Sequence, residues 1–210
     1  MEYPNSRLVS PSPRGHATAV ICPDIPLRVH RNAEIADRGA LRAQKDWQKH
    51  FGALPASFSG GTMGPEFNAT TTCLPETLPD RLELTAYLLE IVLLVDSVVD
   101  AAESPTVALA PHAADLMQAY RVVQMGGDMD TTGCTPAATL IVDFARAMVS
   151  VDADRARQAV RWLVKWFEVF RDTPSHTVND WQNFDQYVKF RHVNLSAQCV
   201  HPCAVHLSRR

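Results

Sequence analysis

Two aspartates four residues apart, in the run Asp96-Ser97-Val98-Val99-Asp100, close the most apolar helix-like stretch of this chain. Ionised carboxylates seldom sit on an apolar surface without partners. On a helix, positions i and i+4 share a face, and a rise of about 1.5 Å per residue sets the two backbone anchors about 6 Å apart. That spacing suits hard divalent cations. Carboxylates projecting into an apolar cavity can hold Mg2+ and, through it, the phosphates of an otherwise greasy substrate. The plainer alternative is a solvated helix end, where Asx residues cap and solubilise.

A second chemical residue is Arg191. Phe184, Tyr187, Val188, Arg191 and Leu195 recur at i, i+3, i+4, i+7 and i+11, which sets the arginine on an apolar stripe. Its planar guanidinium fits a carboxylate or a phosphate. Alone, it reads equally as a side chain whose stem packs while its head reaches water. Two carboxylates for metal and one arginine for phosphate oxygens, all on inward helix faces, are the parts of a diphosphate-ionising site.

The elements that must position these residues are helical. Residues 1–30, rich in proline, serine and arginine, read as an extended arm able to pack on the domain. From 32 to 51 the pattern turns helical, with Ile35, Leu41 and Trp47 among charges and Gly52 at the end. Gly60-Gly61 and Pro65 mark a loop. Asp80, preceded by Pro79 and followed by Glu83, is a capping box for a helix running to about Ala101. Pro111 opens a stretch with Ala113, Leu116, Met117, Tyr120 and Val123 at helical spacing, closed by Gly126-Gly127. An apolar helix over 138–149 meets a break at Ser150-Val151-Asp152. Ala156, Val160, Leu163, Val164, Phe167 and Phe170 then form an amphipathic stripe. Asn183 with Gln186 is a capping box for a helix through Asn194. No convincing strand and no repeat is visible. Six or seven helices make the class all-α.

Composition agrees with one domain. The 210 residues are 46% hydrophobic and 20% charged, and a net charge of −3 supplies no broad attraction to nucleic acid or anionic membrane. The stretch 84–102 imitates a membrane span, but Glu90, Asp96 and Asp100 would each be costly in hydrocarbon, so a buried helix is expected. No signal pattern follows Met1-Glu2-Tyr3-Pro4, which points to a cytoplasmic protein. Cys22, Cys73, Cys134, Cys199 and Cys203 are odd in number and mostly far apart; free thiols are expected, with Cys73 and Cys134 buried.

At these residues the chain resembles the class I terpene cyclases, most closely the N-terminal cyclase domain of fungal bifunctional terpene synthases of the fusicoccadiene and ophiobolin type. The likeness extends over separated blocks in order: Ile25-Pro26-Leu27-Arg28-Val29-His30, Arg42-Ala43-Gln44-Lys45-Asp46-Trp47, Leu74-Pro75-Glu76-Thr77-Leu78-Pro79-Asp80-Arg81-Leu82-Glu83, the 96–100 run, Met148-Val149-Ser150-Val151-Asp152, and Phe184-Asp185-Gln186-Tyr187-Val188-Lys189-Phe190-Arg191. The resemblance implies a helical bundle around an apolar pocket, with Asp96 and Asp100 as Mg2+ ligands. It places Arg191 as the pyrophosphate sensor, with Asn194 and Leu195 after it and Asn194 at the diphosphate. The implied reaction is loss of diphosphate from geranylgeranyl, farnesyl or geranylfarnesyl diphosphate, then carbocation cyclisation and proton loss. Asp96 and Arg191 would be the catalytic pair.

The sequence departs from that pattern at Ser97, where the family usually has a second carboxylate, and at Asn194, commonly an aspartate. Upstream, Ile91-Val92-Leu93-Leu94-Val95 replaces aromatics that would face a cation. The family continues roughly a hundred residues past the sensor, with a second metal motif and an Arg-Tyr pair. Nothing in 196–210 matches, so the resemblance implies a partial cyclase domain over 31–197 and a divergent tail over 198–210. In that tail Cys199, His201, Cys203 and His206 have the composition of a zinc site, although zinc sites pair ligands held apart by folded structure. Unrelated sequence joined after Ala197 is the simpler account. The competing functions are thus a cyclase, weak or inactive in this form, and a non-catalytic helical binding protein or unstable fragment whose exposed apolar faces pair with another chain, a homo-oligomer included.

Overall fold

The computed structural model describes residues 3–9, 27–56, 58, 68–100, 117, 121–126, 130, 132, 136–172 and 182–194; for 99, 100, 136–138, 141, 162, 163, 165–172 and 190–194 it describes the backbone alone. The loop at 60–65, most of the 111–123 stretch and the 198–210 tail lie outside these residues. Six helices are described: α1 (Ala33–Phe51), α2 (Ala69–Cys73), α3 (Leu82–Asp100), α4 (Pro136–Val151), α5 (Ala153–Asp172) and α6 (Phe184–Asn194). The fold is all-α. None of the described helices is long and apolar enough to cross a membrane.

Two short strands correct the expectation of none. β1 (Ser6–Leu8) pairs antiparallel with β2 (Arg28–His30), Ser6 opposite His30 and Leu8 opposite Arg28. Three residues are too few to show a period of two, and the partners lie far apart in sequence, so no local pattern announces them. The ribbon is tied to the turn before α3. Asn5 N–H donates to Glu76 Oε2 at 3.2 Å, and its side-chain amide donates to the Glu76 carbonyl at 3.3 Å. Buried His30 receives the Asn32 N–H on Nδ1 at 3.0 Å and donates from Nε2 to the Thr77 carbonyl at 2.9 Å, which selects the Nε2–H tautomer.

α1 buries Ala33, Ala36, Gly39, Ala40, Ala43 and Trp47. This face is built mostly from small side chains; of the larger residues of its pattern Trp47 is buried, Ile35 is half-buried and Leu41 is exposed. Small residues let two backbones approach below the usual helix–helix distance of about 8–10 Å. At Gly39 the approach is closest: a Cβ there would overlap the Glu83 carbonyl oxygen of α3. Ala36 packs with Leu82 and Ala86 of α3. Gly52 ends α1 at φ 95°, a left-handed conformation that glycine accepts without strain.

α3 begins two residues after the expected cap. Thr85 N–H reaches the Arg81 carbonyl at 2.9 Å, and Glu83, instead of reaching back to Asp80, crosses to Arg42 of α1 at 2.9 Å. Asp152, the single residue between α4 and α5, accepts the Arg155 N–H at 3.1 Å and so caps α5. Its carboxylate also takes buried Arg81 at 3.1 Å, joining the start of α3 to the α4–α5 corner. On α5 Ala156 and Val160 of the expected stripe are buried, and Val164 is half-buried. Val122 and Val123 are buried in the helical residues 121–124, which end at Gly126 with φ 68°.

Two predictions follow from this packing. Replacing an interior helical glycine by alanine ordinarily stabilises, yet Gly39→Ala should lower the unfolding free energy by about 1–3 kcal/mol through overpacking against backbone, measured by urea denaturation; unchanged or raised stability would sink the close contact. The Asp152 carboxyl is held below its usual range, first by the Arg155 N–H and then by the charge of Arg81. A depressed carboxyl stabilises the fold above the ordinary aspartate value of about 4 and loses that contribution as pH falls through its folded value. Asp152→Asn keeps a competent cap but removes the charge, so its deficit relative to wild type should be present at neutral pH and shrink below about pH 4.

Candidate functional site

α3 carries acidic residues on two different sides. Toward α1 it presents Glu83, Tyr87 and Glu90, each met by a residue of the 42–47 block. Arg42 pairs with Glu83 and lies over the Tyr87 ring, 4.7 Å from its centroid. Tyr87 OH donates to Asp46 at 3.1 Å. The Gln44 amide donates to buried Glu90. Phe144 of α4 stacks with the same ring, at 5.4 Å between centroids. These contacts fix the rotation of α3 about its own axis.

Asp96 then falls elsewhere. At 3.6 residues per turn it is rotated by about 200° from Leu94, which is fully buried. It shares its face with Leu89, Val92 and Leu93, and all four side chains are half-buried. Asp100 is one turn on and is the last residue of α3, so neither aspartate is an N-terminal cap of that helix. Both sit in the final turns, the negative end of the helix dipole, where the last turn has no basic residue and carboxylates are disfavoured by about 0.3–1 kcal/mol each. Ser97 Oγ donates to the Leu93 carbonyl at 2.9 Å, turned back into its own helix.

As a metal site this is a pair and not a cage. Two hard carboxylates at i and i+4 match Mg2+, which usually keeps several waters and takes one or two protein carboxylates beside substrate phosphates. Among the described residues no group of three His, Cys, Asp or Glu side chains gathers to hold a metal. The side chain of Asp100 lies outside the described residues, as do those of Arg191 and Asn194.

Arg191 and Asn194 belong to α6, whose start has one half of the expected capping box: Asn183 Oδ1 accepts the Gln186 N–H at 3.0 Å, while Gln186 Oε1 accepts the N–H of Gln182, not of Asn183, at 3.0 Å. α6 packs chiefly on α5. The inward face expected for it is not seen in its described half, where Phe184, Tyr187 and Val188 are exposed. Helical periodicity marks a face as apolar without specifying what covers it. Cys73 also departs from expectation. It ends the five-residue α2 as an exposed free thiol. The sequence reading missed Gly39 and the hydrogen bonds made by His30, Gln44 and Glu90; the small-residue recurrence of 36, 39, 40 and 43 is the one signal that could have exposed the first.

Compared with known proteins, the chain is 31% identical over 201 residues to phomopsene synthase of Phomopsis amygdali, covering 94% of this chain and 26% of that protein. It is 31% identical over 201 residues to a bifunctional sesterterpene synthase of Talaromyces wortmannii, 93% and 25% covered. With ophiobolin F synthase of Cochliobolus heterostrophus it shares 28% over 187 residues, 86% and 24% covered. The chain is a homologue of these fungal terpene synthases and spans about a quarter of their length. No protein-family profile matches it.

Tyr87 reports on the side of α3 that α1 covers. Burial, and then the neighbouring Asp46 carboxylate, push its phenol far above the usual tyrosine value. A raised phenol contributes stability below about pH 10 that is lost as pH rises through its folded value. In an ultraviolet titration one phenol of the native protein should lag behind the denatured-state titration, and Tyr87→Phe should abolish the lag. A Tyr87→Phe protein that retains it would contradict this assignment.

Proposed function

We propose that this homologue of fungal bifunctional terpene synthases carries the aspartate-bearing part of a class I terpene cyclase, which ionises an isoprenoid diphosphate in the presence of Mg2+. One observation carries the reading: two carboxylates at the unfavourable C-terminal end of α3, one of them on a half-buried apolar face, in a chain 31% identical to phomopsene synthase over 201 residues. A solvated helix end would not need that setting.

In this reading Asp96 and Asp100 hold Mg2+, which when bound neutralises the charge of the diphosphate leaving group. Arg191 contacts the phosphate oxygens through its guanidinium fork, and Asn194 adds a hydrogen bond. Leu89, Val92 and Leu93 keep water from the carbon chain. The allylic C–O bond breaks with its electron pair leaving on the diphosphate; the carbocation closes on its own double bonds and then loses a proton. The relatives' names differ in product, so chain length is open among farnesyl, geranylgeranyl and geranylfarnesyl diphosphate. The exposed apolar residues of α6 favour a second reading, a non-catalytic helical binding protein.

The purified chain, incubated with Mg2+ and each of the three diphosphates, should release inorganic diphosphate and a hydrocarbon. Asp96→Asn should lower the rate by about 100-fold or more while the thermal melt stays cooperative. No hydrocarbon from any of the three substrates would exclude catalysis by this chain and favour the binding reading. Unchanged turnover in Asp96→Asn would reject the site.

A further inference from the structure

Of the contacts that Arg42, Asp46 and Gln44 make with α3, the hydrogen bond from Gln44 to Glu90 lies farthest along the helix and nearest the aspartates. Its α3 member is a buried carboxylate, whereas Arg42 and Glu83 pair at the exposed rim. Glu90 precedes Asp96 by six residues, a rise of about 9 Å and a rotation of about 120°, so it acts on Asp96 through the backbone they share. Between them the packing thins. From 91 to 98 only Leu94 is fully buried and the other side chains are half-buried, which leaves apolar contact a weaker hold on the direction of this part of α3.

A buried carboxylate is not the group that holds two helices together most strongly. Replacing buried charged groups by apolar side chains of similar volume is often neutral or stabilising, and the best-attested use of such groups is to fix register. Apolar side chains tolerate several rotations of one helix against another, whereas the Gln44 amide and the Glu90 carboxylate meet in one. We propose that Glu90 is a positioning residue for the metal site: held by Gln44, it sets the rotation and register in which α3 presents Asp96 to the cation shared with Asp100. A slip of one residue would turn Asp96 by about 100° and move it about 1.5 Å along the axis. This rests on the Mg2+ reading of the aspartate pair.

The test measures binding of Mn2+, a paramagnetic stand-in for Mg2+, to the full chain by electron paramagnetic resonance, beside the thermal melt. Glu90→Met fills similar volume without the hydrogen bond, and half-buried Gln44 can turn its amide to water. That variant should melt cooperatively at or above the wild-type temperature, yet bind Mn2+ about tenfold or more weakly. Glu90→Gln keeps an acceptor for the Gln44 amide and should bind as wild type does. Combining Gln44→Glu with Glu90→Gln should restore the affinity that Gln44→Glu alone loses, a comparison that holds whether or not Glu90→Met folds. Wild-type affinity in a folded Glu90→Met protein would overturn the proposal, as would losses that simply follow the melting temperature across the series. Failure of the underlying reading looks different: Asp96→Asn would then bind Mn2+ no differently from wild type, which removes the premise and the proposal together.

Discussion

The arrangement of this protein depends on how closely α1 can lie against α3. Gly39 admits the Glu83 carbonyl into space that any side chain would fill, and Ala36, Ala40 and Ala43 keep the rest of the seam shallow. Close approach has a consequence for the polar residues. With the seam filled by backbone and methyl groups, the longer side chains of α1 cannot lie between the helices and must reach around the rim. Arg42, Gln44 and Asp46 do this, meeting Glu83, Glu90 and Tyr87 in turn. Apolar contact brings the helices together, but these pairs decide the rotation and register of α3, because sliding by one residue would break all three at once and leave buried Glu90 without the Gln44 amide.

The blocks through which the sequence resembles terpene cyclases acquire a second meaning in this light. Only the aspartate run and the α6 block hold residues of the proposed site. The 42–47 block supplies the rim contacts to α3. The 74–83 block holds the β-ribbon through Glu76 and Thr77 and contributes Arg81, while the 148–152 block ends in Asp152, which caps α5 and receives that arginine. Arg81 and Asp152 both sit near helix termini and tie three elements together with one pair of charges. Removing Asp152 would leave buried Arg81 without that carboxylate, whereas Asp152 deprived of Arg81 keeps the Arg155 guanidinium at 3.2 Å. Much of what made the family recognisable is thus the scaffold that aims α3.

What could be read from sequence divides along local and non-local physics. The left-handed Gly52, the turn at Gly126 and the Asn183 cap of α6 are set by residues within a few positions of one another, and each was legible. The β-ribbon joins residues more than twenty apart, and the start of α3 is shifted because Glu83 finds Arg42 across the seam instead of closing a capping box. Leu41 looked like core and is exposed, since the buried face of α1 runs through alanines and a glycine to Trp47 and passes Leu41 by. Of the candidate site, the helical placement of Asp96 and Asp100 was legible. The rotation that separates them from Glu83 and Glu90 was not, because it is imposed by α1.

That separation sorts the acids of α3 by use. Glu83, Glu90 and the Asp46 that meets Tyr87 have basic or neutral donors within hydrogen-bond reach, so their charges are spent on holding two helices together. Asp96 lies on another side of α3, beside leucines and a valine, and Asp100 one turn farther toward the negative end of the helix dipole. That dipole disfavours ionised carboxylates. A divalent cation would be attracted by it and by each carboxylate, the more so as surrounding water is excluded. The Mg2+ site proposed for the pair would use that attraction. Ser97 fits the same logic, with its hydroxyl returned to the Leu93 carbonyl, so that no third charge adds to the repulsion between the two aspartates.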